Sequence, residues 1–115
     1  EHSGQWVKGK SCDTFGPIGP YLVTRDEVKD PQNLNLWLEL NGNKVQDGNT
    51  NTMIHKVFFT LSYLSQFMSL QPGDVISTGT PPGVGSGMNP PLYLKSGDNM
   101  RLGIEGLGEQ SQNVI

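Results

Sequence analysis

The sequence predicts one mainly β domain of the α+β class, with a single principal packed helix. Three observations carry that reading. Leu34, Leu36, Leu38 and Leu40 alternate along the chain and run directly into Asn41-Gly42. Between residues 53 and 68, Met53, Ile54, Val57, Phe58, Leu61, Leu64 and Met68 recur every three or four positions. The 115 residues include 15 Gly and 8 Pro, a density that suits short strands and tight turns rather than a helical bundle. A chain of this length builds one small core.

The elements follow in order. Residues 1–10 are polar and read as a loop; Glu1 is not a Met, so a longer parent chain that continues upstream is expected. Residues 15–20 form a Gly/Pro turn, residues 21–23 a short strand, and residues 24–32 a surface loop holding one helical turn at most. Period-2 alternation over 34–40 predicts a half-buried strand. Asn41-Gly42 fits a type I′ hairpin turn, which needs positive φ at both central residues, and 43–46 is the return strand. Asn49, Thr50, Asn51 and Thr52 offer N-caps for a helix over about 52–69, whose apolar stripe faces the core. Gln71-Pro72-Gly73-Asp74 ends it, and Val75-Ile76 starts a strand that runs into Ser77-Thr78-Gly79-Thr80-Pro81-Pro82-Gly83-Val84-Gly85. Met100, Leu102 and Ile104 alternate again, Gly106-Leu107-Gly108 turns the chain, and 109–115 is the last strand. Burying a Leu or Phe contributes about 1.5–3 kcal/mol. Asp in place of Leu61 or Phe58 is therefore expected to unfold the domain, and a change at Asn35 is not.

Composition excludes several functions. The net charge is −3 and no run of Lys or Arg occurs, so the electrostatic footprint of nucleic-acid binding is missing. Cys12 stands alone, which rules out an internal disulfide and points to a reducing, cytoplasmic setting. No stretch is apolar for the roughly 18 residues of a membrane span, and no signal peptide opens the chain. His2 and His55 are the only histidines, too few for a His-based metal site or a Ser–His–Asp triad, and His55 reads as a surface or interface residue. No Glu-x-Glu or Asp-x-Asp pair occurs. Gly83-Val84-Gly85-Ser86-Gly87 is not followed by Gly-Lys-Ser/Thr and leads into Met88-Asn89-Pro90, so it is no phosphate loop.

Two segments remain as candidates for chemistry. In 77–85, Pro81 and Pro82 stiffen the backbone, while Gly79, Gly83 and Gly85 open angles that other residues avoid. The loop is either a rigid connector or a shelf that presents Thr80 and free N–H groups to a small carboxylate. Lys10, beside Ser11, Asp13 and Thr14, is either a solvated lysine or a cation for carboxylates and oxyanions.

The order of four or five motifs resembles the fumarylacetoacetate hydrolase superfamily. They are Lys10-Ser11-Cys12-Asp13-Thr14-Phe15-Gly16-Pro17, Leu36-Trp37-Leu38 with the Asn41-Gly42 turn, Gln46-Asp47-Gly48-Asn49-Thr50 with Met53-Ile54, residues 72–85, and Ile104-Glu105-Gly106-Leu107-Gly108. The version here is most similar to bacterial 2,4-diketo-3-deoxy sugar-acid hydrolases and homoprotocatechuate-pathway isomerase/decarboxylases. The resemblance implies a mixed β-sandwich roll, usually dimeric, of which residues 1–115 are the C-terminal portion of a single catalytic domain. It implies Mg²⁺ or Mn²⁺ held by a Glu-x-Glu pair and an Asp, ligands expected upstream of Glu1. Lys10 matches the family lysine near metal and substrate, Thr14 its neighbouring threonine, and Thr80, with Gly79, the contact to the substrate carboxylate. His55 falls where an apolar or aromatic residue is common. The implied reaction is hydrolytic cleavage of a C–C bond in a 2,4-dioxo acid. The alternatives are an isomerase or decarboxylase of related 2-oxo acids, or a non-catalytic module that supplies only a dimer surface or ligand shelf.

Overall fold

A computed structural model describes residues 4–115; His2 lies outside them. Four strands, β1 (Asn35–Leu40), β2 (Asn43–Asn49), β3 (Asn99–Ile104) and β4 (Gly108–Asn113), form one antiparallel sheet in the order β2-β1-β3-β4. Two helices, α1 (Trp6–Lys10) and α2 (Val57–Leu64), lie outside it. No helix among the described residues is long and apolar enough to cross a membrane.

Pairing sorts the sheet into two chemically distinct faces. Leu36, Leu38 and Leu40 stand opposite Ile104, Leu102 and Met100, so the two alternating stripes read from the sequence share one face. Residues 84–94 cross that face: Val84, Met88, Leu92 and Leu94 meet Leu38, Leu40, Val45 and Met100 around a cavity of about 340 Å³. Leu40 is the buried apolar side chain among the described residues. On the other face Arg101 lies 5.4 Å from the Trp37 ring and pairs with Glu39 and Glu109 at 3.4 and 2.8 Å. Gly103 leaves room there for the Trp37 indole, which would come within 3.1 Å of a Cβ.

The hairpin turn is of the expected kind, with φ of 51° at Asn41 and 78° at Gly42. Asn41 also ties the turn to β3. Its side chain donates to Asp98 Oδ1 and accepts from the Asn99 N–H, both at 2.9 Å, while its own N–H donates to Asn99 O. Asp98 is buried and accepts a second bond from the Lys95 N–H.

The helix departs from its expected length and packing. Asn49 caps a 3-10 turn, Thr50–Thr52, and α2 begins only at Val57. Asn49 Oδ1 accepts from the Asn51 N–H and the Thr52 hydroxyl donates to Asn49 O, local bonds that compete with helix formation. Gln32 Oε1 instead takes the first free N–H of α2, at Val57, while Gln32 Nε2 donates to Thr50 O. Beyond Leu64 the chain continues in single turns through Met68. The stripe is not a core stripe: Phe58 and Leu61 are 56% and 36% exposed, and Val57, Thr60 and Leu61 face Ile76 and Thr78 across a shallow cleft. An Asp at 58 or 61 thus stays within reach of water, and the unfolding expected for it does not follow. His55 stacks on Phe59 at 5.1 Å, and Phe59, Tyr63 and Phe67 continue the stack at successive turns.

Three further expectations are corrected. Residues 21–23 and 75–76 form no strand of the sheet. β2 is longer than 43–46 and reaches Asn49, and β4 stops at Asn113. Asn35 is not idle: its amide donates to Glu105 Oε2 at 2.8 Å and its oxygen accepts from Asn49 at 2.9 Å.

The bonds from Asn41 and then from the Lys95 N–H favour the ionised form of Asp98 and hold its carboxyl below the usual range, against the opposing effect of burial. The folded state therefore binds this proton less readily than the unfolded chain. The stabilisation is present at neutral pH and is lost as pH falls below about 4. The urea midpoint should drop on that acid limb, and Asp98→Asn should lower the midpoint at pH 7 while flattening the limb.

Candidate functional site

The site is organised by an irregularity in β2. β1 and β2 pair residue for residue from Asn35–Asn49 to Leu38–Gln46, then resume at Glu39–Lys44, which leaves Val45 with no partner. This is a β-bulge, a device that bends a strand and re-aims its side chains. Val45 and Gln46 are both half-buried, where an unbroken strand would alternate.

The bulge brings β2 against the Gly/Pro loop. A Cβ on Gly83 would stand 2.0 Å from Val45 O and 3.0 Å from Gln46 Cγ, and Gly83 has φ of +106°, so only glycine fits. Two positions beyond Gln46, a Cβ on Gly48 would come within 3.0 Å of Pro81 Cβ. Gln46 Nε2 donates to Thr80 Oγ1 at 2.7 Å and to Pro81 O at 3.1 Å. The Pro81 carbonyl can only accept, which fixes the Gln46 amide with its NH₂ toward the loop. Thr80 Oγ1 also lies 3.1 Å from Pro81 O, to which its hydroxyl donates. Thr80 and Gly79 are exposed, Gly79 has φ of +99°, and the backbone N–H groups of both lack partners among the described residues. Thr80 stands at the rim of the apolar cavity, together with Gln46.

Lys10 and Thr14 lie in a different setting. Residues 6–10, expected as loop, form the short α1, and Lys10 is exposed in its last turn. Lys8 and Lys10 there oppose the negative end of the helix dipole. Lys10 Nζ lies 6.0 Å from the Trp6 ring. Thr14 has φ of 66°, a left-handed backbone that a β-branched residue adopts at a cost of about 1–3 kcal/mol. Neither Lys10 nor Thr14 makes a hydrogen bond or ion pair to the Thr80 loop among the described residues. Gly79 and Thr80 are thus brought together with Gln46, and Lys10 with Thr14 forms a second locus. Sequence reasoning ended the return strand at Gln46 and gave it no role, because nothing in the residue pattern announces the bulge.

No group of three His, Cys, Asp or Glu side chains converges in the way a metal ion needs among the described residues. The described residues therefore form no set of metal ligands by themselves, and none is assigned as a ligand.

The Gly83 contact has a direct test. Gly83→Ala should destabilise the fold by ~1–3 kcal/mol through backbone strain, with steric overlap adding to it. Gly87→Ala is the control, since its added Cβ meets nothing within 4 Å and its φ is not positive. Urea midpoints and amide exchange over 79–85 should change in the first variant only.

Comparison with known proteins agrees with this architecture. The family model described as fumarylacetoacetate (FAA) hydrolase C-terminal matches residues 1–115. A protein of Burkholderia multivorans, named provisionally as a hydrolase, is 66% identical over 113 residues, covering 97% of this chain and 40% of its own length. The chain thus spans about two fifths of the length of the curated relatives it matches. Among solved structures, the fumarylacetoacetate hydrolase of Exiguobacterium antarcticum is 45% identical with a TM-score of 0.90, over 93% of this chain and 38% of that one. The 2-hydroxyhepta-2,4-diene-1,7-dioate isomerase of Mycobacterium marinum is 41% identical with a TM-score of 0.84, over 97% and 40%. The maleylpyruvate hydrolase of Sphingobium sp. SYK-6, in complex with manganese(II) and pyruvate, is 39% identical with a TM-score of 0.80, over 90% and 36%. The ordered motifs, the α+β architecture with its antiparallel sheet and these matches together place the chain in the fumarylacetoacetate hydrolase family, as a C-terminal part of its domain.

Proposed function

We propose that this chain supplies the carboxylate shelf, and a separate cation, Lys10, of an enzyme that hydrolyses a C–C bond in a small 2,4-dioxo acid. The observation that carries the reading is Thr80 on a loop clamped to β2, with the N–H groups of Gly79 and Thr80 unpaired beside its hydroxyl. Three neutral donors on one stiff segment suit a carboxylate. In the reaction, water adds to the C4 carbonyl and the C3–C4 bond breaks. Its electron pair passes into the C2–C3 enolate, and protonation at C3 then yields a 2-oxo acid and a carboxylic acid. Thr80 and Gly79 hold the substrate carboxylate. Lys10 opposes the negative charge that grows on the carbonyl oxygens, with Thr14 as its neighbour. Residues 1–115 act as the C-terminal portion of a single catalytic domain.

Mg²⁺ or Mn²⁺, a homodimeric assembly and a cytoplasmic location belong to the same reading. A manganese-bound family neighbour supports the first, and the lone, exposed Cys12 suits the last. The roles given to this chain's residues do not run through the metal. Isomerisation or decarboxylation of a related 2-oxo acid is the second reading, favoured by the similarity to the Mycobacterium marinum isomerase.

Acetylpyruvate, the simplest acylpyruvate, tests the first reading in the full-length polypeptide that carries this chain. Hydrolysis is followed by loss of enol absorbance, and release of acetate separates it from isomerisation. Thr80→Val should raise KM roughly 10-fold or more, the worth of a hydrogen bond to a charged group, with little change in kcat. An unchanged KM would overturn the carboxylate assignment. Lys10→Met should lower kcat by a factor on the order of 10²–10³ if the lysine meets developing charge. A kcat near that of the unmodified enzyme would remove Lys10 from the chemistry.

A further inference from the structure

We infer that Gln46 is a positioning residue that commits the Thr80 hydroxyl to donate to a bound carboxylate; the inference rests on the carboxylate shelf proposed above. A threonine hydroxyl has one proton and two lone pairs, so its direction depends on what already occupies its acceptor side. Gln46 Nε2 donates into that side at 2.7 Å. The Thr80 proton is then left to point away from Gln46.

That proton is directed at Pro81 O, 3.1 Å away. That carbonyl is also served by the second proton of Gln46 Nε2, at 3.1 Å. The Thr80 proton can therefore swing to a carboxylate without orphaning the carbonyl it leaves. One amide group fills the lone pair and supplies the substitute donor. A carboxylate at 46 would do the opposite, accepting the Thr80 proton and repelling Pro81 O.

The amide is held for this work by the fold rather than by its own flexibility. Gln46 follows the bulged Val45 and is half-buried, and its Cγ lies 3.0 Å from the Cβ position of Gly83. Gln46 acts through Thr80 and need not touch the substrate.

The test is pyruvate binding to the full-length polypeptide, by calorimetry, with pyruvamide as the probe lacking a carboxylate. Gln46→Met, of equal length but with no donor, should weaken pyruvate binding about three- to tenfold, the loss of one net hydrogen bond. Pyruvamide binding should change by less than twofold. In the Thr80→Val background, Gln46→Met should have almost no further effect on pyruvate, because the two act as one unit. Additive losses, or equal losses for both probes, would overturn the inference in favour of a general packing role. If Thr80→Val weakens pyruvate binding and Gln46→Met does not, the shelf stands and the role of Gln46 fails. If Thr80→Val itself has no effect, both fail. Should the Met variant lose its urea transition, Gln46→Glu carries the test, with a larger loss for pyruvate expected at neutral pH. Unmodified pyruvate affinity in a folded Glu variant would refute the proposal.

Discussion

One extra residue in β2 governs how the rest of the molecule is arranged. Without the bulge at Val45, the strand would continue its alternation and the Val45 carbonyl would be taken up by the ladder with β1. With it, that carbonyl turns to the Gly83 backbone at a separation that no side chain could share. The loop is therefore held by shape, through backbone contact, and by one bifurcating amide. Both attachments lie within three residues of Thr80. A loop carrying two consecutive prolines has little freedom of its own, so fixing it at Pro81 and Gly83 fixes the threonine between Gly79 and Pro81 as well.

The position of the bulge depends in turn on the hairpin. Asn41 and Gly42 set the register, and a slip of one residue would send every side chain of β2 to the opposite face. Asn41 secures it through the Asp98 carboxylate and the Asn99 backbone. These bonds cross from the turn to the start of β3, whose partner β4 is tied to the same corner by Val114 N–H donating to Asp98 O. Asp98 thus fastens the hairpin turn through its carboxylate and the chain just past β4 through its backbone carbonyl. It sits at the end of the sheet where β3 begins beside Asn41, and Asn41 lies four residues before Val45.

Legibility from sequence followed the range of the interactions involved. The Leu34–Leu40 alternation, the Asn41-Gly42 turn and the Met100–Ile104 alternation all reappear in place, because period and turn chemistry act over a few residues. The helix was overextended because its repeat is real but the start is decided elsewhere. Asn49 and Thr52 spend their side chains on a 3-10 turn, and Gln32, twenty-five residues upstream of Val57, supplies the acceptor. Expecting the stripe to be core failed for a related reason, since a hydrophobic repeat specifies a face and not what covers it. Thr80 and Gly79 stand out as candidates through their Pro/Gly surroundings. The contribution of Gln46 does not, because a bulge leaves no mark in composition or period. Lys10 and Thr14 are candidates through motif order, to which the structure adds only the left-handed backbone of Thr14 and the place of Lys10 in the last turn of α1.

The shelf itself is electrically neutral: a hydroxyl, an amide and backbone N–H groups, with no cation bonded to it among the described residues. Neutral donors select by direction. They recognise the spread of a carboxylate's lone pairs, and they lose little when product leaves. A cation acts less directionally and gains most where charge increases during reaction. Placing the positive charge on a separate element, α1, keeps these tasks apart. In the proposed reaction, ground-state binding of the carboxylate is the task of Thr80 and its supports, and the electrostatic share of the barrier is the task of Lys10. Under that proposal the same separation serves either hydrolysis or isomerisation. The shelf can hold the same acid group in each, while the charge and the groups facing the carbonyl decide which bond changes.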